Sequence, residues 1–127
     1  MAEDSSGPLI VVLENDGPSA VALAILIEDW GFRPFTGNSA AAVVRALGPR
    51  VQDVHAIIAD YHLDDGFTGT EGAHTLSVAI GHAVPTIVMT GHMVRAEHEN
   101  AYPVLSKPFD PSILRCWLEE HAAGALA

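Results

Sequence analysis

Two short apolar runs set the frame of the chain. Leu9-Ile10-Val11-Val12-Leu13 and Ala56-Ile57-Ile58-Ala59 contain no polar residue, and each ends abruptly in acid. Runs this short, without alternation, read as strands buried on both faces of a parallel sheet. Between and after them the pattern turns helical. Gly17-Pro18 opens a helix that continues to Trp30, with proline at its first turn and Gly31 as the stop. Phe32 to Thr36 reads as a strand, and Pro34 consigns it to an edge. Asn38 or Ser39 caps a second helix through Leu47, closed by Gly48-Pro49. The strand ending at Asp60 follows, then an Asp64-Asp65-Gly66 turn and a helix from Thr70 to Ile80. Pro85 to Thr90 is a fourth strand, Gly91 to Asn100 a short polar helix, and Val104-Leu105 a brief fifth strand. Asp110-Pro111 starts a last helix, expected to bury Ile113, Leu114, Trp117 and Leu118.

Strand and helix thus alternate five times. That order predicts an α/β fold, a doubly wound five-stranded parallel sheet with helices on both faces. In such a sheet the carboxyl ends of all strands share one edge, where ligands bind. Glu14, Asn15, Asp16, Asp60, Thr90 and Lys107 each fall at or just past a strand end, so polar residues from four strands should meet on one rim.

Composition narrows the reading. The 127 residues suit one domain, and the net charge of −10 excludes the basic stripe that nucleic-acid binding needs. The same charge argues against an anionic membrane surface, and no apolar run reaches spanning length. The single Cys116 leaves no internal disulfide and fits a cytoplasmic setting. Lys107 is the sole lysine beside five arginines. A lone point charge in an arginine-using chain suggests a particular task.

Glu14, Asp16 and Asp60 would crowd carboxylates together. At about 4 Å such charges repel by roughly 4 kcal/mol at an effective dielectric near 20. Mg²⁺, which favours oxygen ligands, or Lys107 would offset this. A hard cation, a carboxylate, the Thr90 hydroxyl and a lysine together suit a phosphoryl group, with the carboxylate attacking in line. Asp16 is either a further ligand or the cap of the first helix.

The pieces VLEND, IIADYHL, IVMTG and LSKPF, in this order and spacing, resemble a response-regulator receiver domain over Leu9 to Leu118. The DYHLDDG segment is most similar to receivers of hybrid sensor kinases. The resemblance implies a flavodoxin-like sheet of order 2-1-3-4-5, with tails at 1–8 and 123–127 around a receiver at 9–122. It implies that Asp60 accepts a phosphoryl group and that Thr90 and Lys107 bind its oxygens. Glu14, Asn15, Asp60 and the backbone carbonyl of His62 would hold Mg²⁺, and Lys107-Pro108 would be cis. The partner implied is a histidine kinase or a histidine phosphotransfer protein, in two-component signalling or a phosphorelay, with the chain a monomer or weak homodimer. It would act as a stand-alone receiver that catalyses its own phosphorylation and dephosphorylation. The alternative is a pseudo-receiver that binds partners without being phosphorylated.

The chain departs from the receiver pattern in three places. Asn15 replaces the second carboxylate of the usual acidic pair, which predicts weaker metal binding. Val104 stands at the switch position where the family has an aromatic, with Tyr102 two residues earlier. Sixteen residues separate Thr90 from Lys107, which implies a shortened fourth helix. The seven histidines are scattered without zinc spacing. His62 and His92 each follow a site residue by two and could flank the phosphoryl group. On the first helix, Val21 and Ile25 share an outward face with Glu28 and, with Pro108, suggest a docking surface.

Overall fold

The computed structural model describes residues 7–62, 68–91 and 102–122. Its five strands are β1 (Leu9–Leu13), β2 (Arg33–Gly37), β3 (Val54–Asp60), β4 (Thr86–Thr90) and β5 (Val104–Ser106). All pairings are parallel and the order is β2-β1-β3-β4-β5, as expected. The helices are α1 (Gly17–Asp29), α2 (Ala40–Leu47), α3 (Gly69–Ile80) and α4 (Pro111–His121). Residues 1–6 of the tail expected at 1–8, the tail at 123–127, the turn at 64–66 and all but Gly91 of the polar helix expected over 91–100 lie outside the described residues.

Pleating divides the core in two. Val11, Leu13, Ile57 and Ala59 point to one face, where α2 and α3 supply Val43, Leu47, Leu76 and Ile80. Ile10, Val12, Ala56 and Ile58 point to the other, where α1 and α4 supply Leu23, Ile27, Leu114 and Leu118. Every residue of β1, and Ala56 through Asp60 of β3, is buried. Hence neither strand shows the alternation of a half-exposed one.

Caps fix where the helices begin. Asp16 caps α1, its Oδ2 accepting from the Ser19 backbone at 3.0 Å and the Ser19 hydroxyl at 2.6 Å. Ser39 caps α2 and Asp110 caps α4. At α3 a capping box forms: Thr68 Oγ1 accepts from Glu71 N at 3.1 Å, and Glu71 Oε1 accepts from Thr68 N at 2.9 Å. With Thr68 as the cap, α3 begins at Gly69, one residue before the start expected at Thr70.

One core expectation fails. Ile113 is 54% exposed, whereas Leu114 and Leu118 are fully buried and Trp117 is half-buried. Residues four apart share a helix face. The Leu114–Leu118 pair takes the sheet and turns Ile113 outward. A second difference is the 3₁₀ segment Gly48–Asp53, which fills the connection from α2 to β3.

Candidate functional site

The two central strands finish level with each other. Leu13 pairs with Ala59, so the next residue of each, Glu14 and Asp60, sits at the same height on the carboxyl edge. Parity does the rest. Glu14 follows Val12 by two, Asp60 follows Ile58 by two and Lys107 follows Leu105 by two. Val12, Ile58 and Leu105 all pack on the α1–α4 face. A period of two therefore sends all three charged side chains to that face. Glu14 is 4% and Asp60 8% exposed.

There they meet. Lys107 Nζ lies 3.4 Å from Asp60 Oδ1 and 3.5 Å from Glu14 Oε1. Glu14 Oε2 accepts from the Asp16 backbone at 3.2 Å. Lys107 is held from its own backbone, which donates to the Thr90 carbonyl at 2.7 Å. The Lys107-Pro108 bond is cis, as expected. Thr90 is buried at the end of β4. Thus the sheet brings Glu14, Asp60, Thr90 and Lys107 to one rim, with Asn15 and Asp16 exposed beside them. His62 follows, exposed, its ring edge-on to Tyr61 at 5.0 Å. His92 lies outside the described residues.

The electrostatics of the pair are lopsided. Burial, first of all, pushes the Glu14 carboxyl above its ordinary range, and the neighbouring Asp60 pushes the same way. The Asp16 N–H and the Lys107 ammonium pull it back. One amine thus serves two buried carboxylates, and Glu14 retains affinity for a proton. A hard divalent cation would supply the missing positive charge, and the oxygen donors present fit one. Among the described residues no three His, Cys, Asp or Glu side chains gather as a metal cluster. A cation here would therefore complete its shell with amide, carbonyl or water oxygens. Asp16 is different in kind: its carboxyl is held below the ordinary range by the Ser19 hydroxyl and backbone N–H, the signature of a helix cap.

A cleft of about 490 Å³ adjoins the site. Leu23, Leu26 and Ser19 of α1 form one wall, and Pro108, Phe109 and Pro111 the other, with Glu14, Lys107 and Met89 at its base. On the same helix Val21 and Ile25 are 60% and 61% exposed. Val104 is exposed, and Tyr102 is half-buried against the α2–α3 core.

No protein-family model matches the chain, and no curated protein matches it in sequence. Solved structures do match in fold. A response regulator receiver protein from Pseudoalteromonas atlantica superposes with a TM-score of 0.76 at 25% identity, over 93% of this chain and 99% of that one. A receiver domain protein from Clostridium thermocellum gives 0.76 at 19% identity, over 93% and 96%. The receiver domain of a sensor histidine kinase from Pseudomonas aeruginosa gives 0.73 at 20% identity, over 93% and 99%. That last structure has a magnesium ion coordinated in its active site cleft. The chain has the fold of response-regulator receiver domains. Among the described residues no helix is long and apolar enough to cross a membrane.

Proposed function

We propose that this protein is a receiver that takes a phosphoryl group from a phosphohistidine partner onto Asp60. The observation that carries the reading is the amine of Lys107 set between Asp60 and Glu14 at 3.4 and 3.5 Å, at the carboxyl edge of a receiver-type sheet. An Asp60 carboxylate oxygen forms the new P–O bond as the P–N bond of the donor breaks. The electron pair leaves with the imidazole nitrogen, which then takes up a proton from water. Lys107 offsets charge on the phosphoryl oxygens, and the Thr90 hydroxyl donates to one of them. Glu14 and Asp60, with the Asn15 amide and the His62 carbonyl, would hold Mg²⁺. When bound, Mg²⁺ neutralises the charge that gathers on the transferring group.

Phosphorylation turns the Asp60 carboxylate into an acyl phosphate carrying roughly two negative charges, a net gain of about one beside Glu14. Lys107 and Thr90 then have a stronger claim to the inner position, which biases the loops after β4 and β5. Tyr102, rather than Val104, is the aromatic available to follow that movement. Exposed Val21 and Ile25, beside the α1–Pro108 cleft, are the surface we assign to the histidine-bearing partner. A second reading, partner binding without phosphorylation, draws on Asn15, whose amide adds no charge to the cation site.

Incubation with acetyl phosphate, with and without Mg²⁺, separates the two. The phosphorylation reading expects Mg²⁺-dependent uptake, seen as an intact-mass adduct. A chain that stays unmodified with Mg²⁺ present, yet binds a histidine kinase, establishes the second.

A further inference from the structure

Behind the acid, on the opposite side of the backbone from Lys107, the first turn of α3 presses directly on β3. Gly69 is buried there and donates from its backbone to the Tyr61 carbonyl at 2.8 Å. A Cβ at Gly69 would stand 2.3 Å from the Asp60 carbonyl oxygen, 2.9 Å from its carbonyl carbon and 3.2 Å from the Ala59 Cβ. None of these is the loose end of a flexible side chain. The first two are the backbone of Asp60 itself. At Gly37, by contrast, an added Cβ meets chiefly a Val43 methyl, and at Gly17 it meets nothing.

Both partners in this contact are braced. Asp60 pairs with Met89, and Tyr61 N donates to the Met89 carbonyl at 2.7 Å. On the helix side, the His62–Thr68 backbone bridge holds the chain where α3 begins. We infer that Gly69 is a positioning residue: its missing side chain lets α3 serve as a hard stop that fixes the Asp60 backbone and so the reach of its carboxylate to Lys107. The inference rests on Asp60 being the phosphoacceptor. At 3.4 Å the Asp60–Lys107 contact is already long for a charge-assisted hydrogen bond, so a shift of a few tenths of an ångström matters. An alanine at Gly69 cannot be seated without a shift of that order.

The test compares Gly69→Ala with Thr68→Ala, which removes the cap of the same helix without crowding Asp60, and with Gly17→Ala. Phosphorylation by acetyl phosphate is followed with Mg²⁺ in excess, at temperatures where circular dichroism shows each variant folded. The side-chain ammonium resonance of Lys107 is read in parallel. Gly69→Ala should be at least tenfold slower and should shift the Lys107 resonance, with Thr68→Ala and Gly17→Ala within threefold of the parent. A Gly69→Ala rate within threefold of the parent, or equal slowing by Thr68→Ala, overturns the inference. If Gly69→Ala does not fold, Ala59→Ser crowds the same contact from the strand side. It should slow the reaction and shift Lys107; a parental rate overturns the inference. A parent that takes up no phosphoryl group at all refutes the reading of Asp60 instead.

Discussion

The body of β3 and its last residue obey opposite rules. Ala56 to Ala59 are wholly buried and surrounded by apolar partners on both faces, so each stabilises the fold by leaving water. Asp60 is nearly as buried, yet it carries a charge beside a second buried carboxylate, with one partly exposed amine between them. Burial that stabilises the strand costs stability at its end. The same pleat produces both. The contrast puts the proposed phosphoacceptor where the packing logic is violated by a single step along one strand.

Breaking the strand body should cost most. Ile58→Ala leaves a cavity under α1 and α4 and should destabilise the domain by about 3–4 kcal/mol, measured by urea unfolding. An equal-volume change there, Ile58→Leu, should cost less than about 1.5 kcal/mol.

At the strand end the effect moves from stability to rate. Lys107→Ala should slow phosphorylation by acetyl phosphate about 100-fold, the scale seen when one charge-stabilising donor is lost. Quench-flow or fluorescence kinetics would check it, and parental kinetics would remove Lys107 from the chemistry. Ile25→Glu should leave that small-donor rate unchanged while slowing transfer from a protein donor about tenfold. Loss of one exposed apolar contact at an interface centre accounts for that size, ~1.4 kcal/mol.

The smallest effect reverses the sign of an ordinary mutation. A carboxyl held above its ordinary range stabilises the fold in its protonated form. That contribution is full below the ordinary pKa and is lost as pH rises through the raised one. Once ionised, Glu14 therefore opposes folding. Glu14→Gln should raise stability near pH 7 by about 1 kcal/mol without Mg²⁺, and the gain should fade as pH falls below the Glu14 titration. Asp16 and Asp110 run the other way. Hydrogen bonds from Ser19 and Ser112 hold them low, so their contribution is present above the ordinary carboxylate pKa and lost as acid protonates them. Thermal melts of the parent and Glu14→Gln between pH 4 and 7 decide the matter.

The same contrast explains what could be read from the chain. β1 and β3 announced themselves because burial on both faces leaves no polar residue inside the run. The acids announced themselves because they interrupt it. Convergence on a shared edge followed from parallel order alone. Parity was not legible: that Val12, Ile58 and Leu105 lie on one face depends on register between strands, which no single strand encodes. Nor was Gly69, whose demand comes from the carbonyl of a residue packed across the helix. Ile113 misled because four apolar residues in six leave the facing stripe ambiguous by about one position, some 100° of rotation.

The most direct test asks where the phosphoryl group goes. Parent and Asp60→Asn are incubated with acetyl phosphate and Mg²⁺, and the adduct is mapped by tandem mass spectrometry. One adduct is expected, on the peptide containing Asp60, and none on Asp60→Asn. An adduct elsewhere, or uptake by Asp60→Asn at the parental rate, contradicts it.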